Sequence, residues 1–130
     1  MTNSVNANIA VVVAFYEAFT HADLNAFDTI LAPEWINHPA DPGRDNTPQG
    51  FKAGVQDFHT AFEGFRIQRD AIVAQHDLVV CRITMTGRHV RPLGTWQPSG
   101  ERVTFHGMDM HRLIQGRIAE TWHFERLGKD

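Results

Sequence analysis

Asp109 and His123 are the residues of this chain whose types and placement could do chemistry together. Each lies in a run of alternating character, Arg102–Leu113 and Arg117–Phe124, and the runs flank the tight turn Ile114-Gln115-Gly116. Folded as a hairpin, they put both side chains on one face. An imidazole with an ordinary pKa of about 6.5 exchanges protons readily at neutral pH. Asp109 sits mid-strand among apolar neighbours, a costly place for a carboxylate unless it has a task. It could orient a histidine, or stay protonated and donate to a developing oxyanion. The structural alternatives are an outward ion pair of Asp109 with Arg112 or His111, and a His123 bonded only to a backbone carbonyl.

The elements that must position this pair are legible from periodicity. Ile9, Val12, Val13, Tyr16 and Phe19 have the spacing of a helix over residues 8–21 with one buried face. Asp23 is placed to cap a short second helix with Leu24, Phe27, Ile30 and Leu31 inward, ended by Ala32-Pro33. Glu34–His38 is a short extended piece, followed by a polar loop of turn formers. Thr47-Pro48 starts a third helix, with Phe51, Val55, Phe58 and Phe62 on one stripe. After Gly64 the period becomes two. Ile67, Arg69, Ala71 and Val73 share one face, and beyond a Gln75-His76-Asp77 turn so do Val79, Cys81, Ile83 and Met85. Three helices followed by four long antiparallel strands make an α+β fold, a single domain over residues 1–130. A strongly twisted sheet curled over its helices forms a cone whose mouth can hold a ligand.

Bulk properties narrow the class. With 130 residues, a net charge of −3 and scattered Lys and Arg, the chain gives no electrostatic reason to bind nucleic acid or an anionic membrane. No apolar stretch approaches the ~18 residues a membrane span needs, and the N-terminus lacks the pattern of a signal peptide. One cysteine, Cys81, forms no internal disulfide and fits a reducing, cytoplasmic setting; it reads as a small core residue. Eight histidines invite a metal, but no HxH, HxxxH or CxxC spacing occurs, and His106 and His111 fall on opposite strand faces. No metal and no cofactor are expected. His89, His106 and His111 read as surface or interface residues. No GxSxG, P-loop or GxGxxG motif is present.

Several motifs carry a resemblance. They are Trp35-Ile36-Asn37-His38-Pro39, Thr86-Gly87-Arg88-His89-Val90, Pro98-Ser99-Gly100-Glu101-Arg102-Val103, Gly107-Met108-Asp109-Met110-His111-Arg112 and Gly116–His123. Together with the order of elements, the chain resembles the SnoaL-like polyketide cyclases of the NTF2-like superfamily. That resemblance implies an NTF2-like cone with a cavity. It places His38 where related ketosteroid isomerases keep a general-base aspartate, and Asp109 where they keep an oxyanion-binding aspartate. It puts Phe15 near their oxyanion tyrosine, which implies that this hydroxyl is lost. Relative to the cyclases the Asp/His pair is swapped between the two strands, with Asp109 at a histidine position and His123 at an aspartate position.

The function expected is a cofactor-independent, aldol-type cyclisation of a hydrophobic carbonyl substrate. His123 or His38 would act as base, with protonated histidine or neutral Asp109 as oxyanion donor. Phe15, Trp35, Phe58, Phe62 and Met85 would line the substrate cavity, although each could equally be core. Two alternatives are an isomerase with His38 as shuttling base and a non-catalytic binder of a hydrophobic small molecule. The resemblance further implies a homodimer through the outer sheet face, with Trp122, Met110 and Met108 in its contact.

Overall fold

Residues 4–128 are described by a computed structural model. Helix α1 (Val5–His21) begins where Ser4 accepts a bond from the Ala7 amide, and it stops where Ala22 turns left-handed at φ 53°. Its buried side includes Val12, Phe15, Tyr16 and Phe19. The second helix is shorter than periodicity suggests. A single 3-10 turn (Leu24–Ala26) leads into the four-residue α2 (Phe27–Ile30), and Asp23 makes no side-chain cap. Leu31 is buried as expected, but as the first residue of strand β1 (Leu31–His38), so Ala32-Pro33 lies in a strand and ends no helix. Helix α3 (Pro48–Ala61) has its expected start: Thr47 accepts from the Gly50 amide, and Pro48 occupies the first turn, where no amide partner is needed.

Strands β2 (Phe62–Gln75), β3 (Leu78–His89), β4 (Arg102–Ile114) and β5 (Arg117–Leu127) form the antiparallel meander. The order is β1-β5-β4-β3-β2, and the short N-terminal strand adds a fifth member, parallel to β5. The sheet is therefore mixed, where the sequence showed only its antiparallel part. Pro33 is tolerated because β1 is an edge strand with a register shift between Leu31 and Ile36.

Parity holds wherever the ladder is unbroken. β3 and β4 pair without a shift from Leu78↔Arg112 to Arg88↔Arg102, and Val79, Cys81, Ile83 and Met85 all face the core. On β2 a shift between Arg69 and Ala71 inverts the phase. Ile72 and Ala74 pack inward, and Val73 is 67% exposed, contrary to the alternation read from sequence. Gly87 is required by close approach, since a Cβ there would lie 2.7 Å from the Phe62 Cβ.

Two corrections concern single residues. Phe62 is the first residue of β2 and not the last of the α3 stripe. His89, read as a surface residue, is fully buried at the end of β3, with ring centroids 4.7 Å from Phe62 and 4.3 Å from Trp96. The chain after β3 folds back over it, bonding Glu101 O and the Gly100 amide to the His89 backbone.

Candidate active site

Helices α1 and α3 lie over the inner face of the sheet and leave a cavity of about 270 Å³ between them. Its walls are aromatic: Phe15, Phe19, Trp35, Phe51, Phe58 and Phe105. Its polar groups come from four elements and one loop. Asp109 is on β4, Thr121, His123 and Glu125 are on β5, Tyr16 is on α1, Asn37 is on β1, and Asp41 is on the loop after it. Asp109 and His123 are directly opposite each other in the β4–β5 ladder, and both line the cavity. Of the other residues expected there, Phe15, Trp35, Phe58 and Met85 line it.

His38 and Phe62 do not line it. On β1 the inward residues are Trp35 and Asn37, so His38 takes the opposite face. There its Nε2 lies 2.7 Å from Glu120 Oε2, and its ring stacks on Trp122 at 5.3 Å. Asn37 holds the cavity position for which His38 was expected. Phe62 packs between Phe58, His89 and Trp96, beyond the cavity wall.

The two members of the pair have separate partners. Tyr16 donates its hydroxyl proton to Asp109 Oδ2 at 2.7 Å. The tyrosine hydroxyl that Phe15 suggested was lost is thus present, supplied by the next residue of the helix. Tyr16 OH also lies 2.8 Å from His111 Nε2, and His111 Nδ1 lies 2.9 Å from Thr121 Oγ1, which accepts from Trp35 Nε1 at 3.0 Å. With its one proton given to Asp109, Tyr16 can only accept from His111, so Nε2 carries the hydrogen and Nδ1 accepts from Thr121. The chain Trp35, Thr121, His111, Tyr16, Asp109 then runs in one direction. Every donor in it points toward the carboxyl group.

Charge states follow from burial. Burial pushes the Asp109 carboxyl up to about 6 despite the Tyr16 bond, which favours the anion. Burial likewise raises Tyr16 well above its ordinary value, with the Asp109 charge adding to it, so the phenol stays neutral. His111, read from sequence as a surface residue, is fully buried, and burial lowers it to about 3. It is an uncharged link in this chain. Alternation did carry the signal, since His111 is two residues from Asp109 on the same strand.

His123 is the opposite case. Its Nδ1 is 2.6 Å from Glu125 Oε1, and its Nε2 is 2.7 Å from the Pro39 carbonyl oxygen. Both partners only accept, so both ring nitrogens carry hydrogen and the ring is a cation. Burial opposes that charge, but the Glu125 carboxylate and the Pro39 carbonyl outweigh it and hold His123 at about 9. Asp41, on the loop behind Pro39, has its carboxyl raised by burial, with His123 opposing the rise. Glu125 was legible as the next inward residue after His123; Asp41 sits in a loop, where parity says nothing.

The buried imidazole sets a stability prediction. Between about pH 6.5 and 3 the unfolded chain protonates His111 and the folded chain does not, so its contribution is present above that window and is lost as pH falls through it. Asp109, raised to about 6, works in the reverse sense: its contribution is present below the ordinary carboxylate range and is lost as pH rises toward 6. The His111 shift is the larger. Urea unfolding free energies of His111→Gln should show a smaller loss than wild type between pH 6.5 and 4, by roughly 1–3 kcal/mol. A wild-type curve with no excess acid loss over the variant would contradict the neutral buried assignment.

Among the described residues no group of three or more His, Cys, Asp or Glu could hold a metal ion, and no helix is long and apolar enough to cross a membrane. No curated protein matches the sequence. Solved structures share the fold over most of its length. TsrD from Streptomyces laurentii superposes with a TM-score of 0.85 at 23% identity, over 95% of this chain and 90% of that one. AclR, a candidate hydroxylase from Streptomyces galilaeus, gives 0.80 at 22% over 95% and 91%. IdmH, a candidate polyketide cyclase from Streptomyces antibioticus, gives 0.78 at 25% over 91% of each chain. The family model described as SnoaL-like polyketide cyclase matches residues 10–127, and on that match, over a mixed curved sheet packed against three helices, the chain belongs to the SnoaL-like polyketide cyclase family.

Proposed function

We propose that this protein is a cofactor-independent enzyme that closes a ring in a hydrophobic carbonyl substrate, with Asp109 as base and His123 as acid. The observation that carries this reading is the contrast in surroundings of two facing residues in one aromatic cavity: a buried carboxyl group held by the Tyr16 hydroxyl, and an imidazole whose two nitrogens both meet acceptors. These roles reverse the ones expected from sequence. Tyr16 holds its only proton on a carboxylate, whereas His123, already charged and unable to accept a proton, has its Nε2–H on the neutral Pro39 carbonyl, a weaker bond that a developing oxyanion can displace while Nδ1–H stays on Glu125.

The steps balance as an isomerisation. The Asp109 carboxylate removes a proton from the carbon next to a carbonyl, leaving an enolate. That carbon attacks a second carbonyl of the same molecule, forming a carbon–carbon bond and an alkoxide. His123 exchanges its Nε2–H bond to the Pro39 carbonyl for one to the alkoxide and donates that proton, and proton exchange through solvent at the mouth restores both residues. An apolar wall strengthens the attraction between His123 and the developing oxyanion, since little water competes for it. With His38 facing away from the cavity, an isomerase using it as shuttling base has no support.

The test is deuterium uptake. A diketone with a flat aromatic body, incubated with the protein in heavy water, should exchange the hydrogens between its carbonyls in an Asp109-dependent way and yield a cyclic isomer. Recovery of the ligand unchanged and unlabelled after tight binding would favour the non-catalytic binder. We also infer a homodimer through the outer sheet face, where exposed Met108 and Phe124 are cross-strand neighbours beside Trp122 and Met110. A cytoplasmic setting fits the free, buried Cys81.

A further inference from the structure

Among the described residues lining the cavity, Asn37 is the one whose side chain has a buried polar atom without a hydrogen-bond partner. The residue is 5% exposed, and its Oδ1 is buried without a hydrogen-bond partner. A buried acceptor in that condition is unusual, because it has given up water and received nothing. The backbone around it is fixed. Asn46 accepts from the Asn37 amide through Oδ1 and donates to the Asn37 carbonyl through Nδ2, both at 2.9 Å. Held at both main-chain groups on a strand where Trp35 and Asn37 face inward, the carboxamide has the cavity as its outlet. Its χ2 torsion is broad, so Oδ1 can swing to meet a donor that arrives there.

The place of Asn37 relative to the acid is also fixed. It pairs with Thr121, two residues before His123 on the same face of β5, and Pro39, two residues after Asn37, supplies the carbonyl bonded to His123 Nε2. A ligand lying along this wall therefore meets an unpaired acceptor at Asn37 and the His123 cation, whose Nε2–H reaches a ligand carbonyl by exchanging its bond to the Pro39 carbonyl.

We infer that the cavity selects carbonyl compounds that also carry a hydroxyl group, the hydroxyl donating to Asn37 Oδ1 while a carbonyl oxygen faces His123. Phenolic or enolic ketones with a flat aromatic body have this pattern, and the aromatic walls match that body. The inference deepens the proton-transfer reading by naming a substrate class, and rests on that reading for the orientation of the carbonyl. A pocket built to pair a hydroxyl discriminates against an analogue without one more strongly than it discriminates by size, because the orphan acceptor stays buried in the wrong complex.

The experiment compares an acetylnaphthol with its methyl ether, which has the same body and ketone but no donor. Binding is read by calorimetry and by quenching of tryptophan fluorescence. Wild type should bind the naphthol about tenfold or more tightly than the ether, and Asn37→Leu, close in volume, should bring the two within about threefold. Equal affinities in wild type, no binding of the naphthol, or an undiminished preference in Asn37→Leu would each overturn the inference. The wild-type comparison needs no variant to fold. Deuterium uptake into the acetyl group of the bound probe reports the Asp109 chemistry separately, so loss of the binding preference and loss of proton transfer are distinguishable.

Discussion

Replacing Asp109 with Asn should lower deuterium exchange next to the substrate carbonyl by about a thousandfold, within the range of 10² to 10⁴ that a positioned base contributes. The change is nearly isosteric, and the amide oxygen can still accept from Tyr16, so the chain from Trp35 to residue 109 keeps its direction. The thermal midpoint should therefore move little. The wild-type rate should fall as pH drops through about 6, because Asp109 is a base only when ionised and burial has raised it to that value. Tyr16→Phe removes the bond that favours the anion and should move this acid limb upward. An Asp109→Asn variant that keeps a tenth of the wild-type rate would remove Asp109 from the base role, and an acid limb unmoved by Tyr16→Phe would remove Tyr16 as its tuner.

The second large effect belongs to the acid. His123→Leu should reduce ring closure about a hundredfold or more while sparing exchange at the carbon, since exchange needs the base and only partly the donor. In wild type the alkaline limb of ring closure should lie near 9, where His123 gives up its proton. Glu125→Gln keeps an acceptor for Nδ1 and removes the charge, so the limb should shift to lower pH and the active range should narrow from above. NMR titration of the His123 ring reads the same change without any substrate. The stability linkage has a matching sign: His123 is raised in the folded chain, so its contribution is complete below its ordinary value and is lost as pH rises through about 9. A His123 that titrates near an ordinary 6.5 would make it a base candidate again and reverse the assignment.

Both predictions depend on a hairpin that local sequence already specified. Strands β4 and β5 pair Asp109 with His123 across a short turn, and a period of two is enough to put them on one face. The same logic held along β3 and at Thr47-Pro48, where the interactions that decide structure lie within a few residues. It also reached His111 and Glu125, whose phase with Asp109 and His123 could have been followed further. Parity failed where the ladder did: the shift between Arg69 and Ala71 turned Val73 outward, and nothing local to β2 announces an extra residue that only a partner strand can define.

The charge states of the pair, and so the roles proposed for it, were decided by contacts remote in the chain. Tyr16 reaches Asp109 and His111 from a helix more than ninety residues away, and that contact leaves Asp109 an acceptor of protons. Pro39 reaches His123 from the end of a parallel edge strand and helps make it a cation. The parallel register of β1 also sent His38 to the outer face and Asn37 to the inner one. The sequence by itself determined the α+β class, the hairpin, the aromatic interior and the facing of Asp109 and His123, because these follow from periodicity over neighbouring residues. The tertiary structure alone decided which of the two is favoured as an anion and which as a cation, on which the proposed base and acid roles rest. Protonation depends on burial and on hydrogen-bond partners, and here those partners come from segments that only packing brings together.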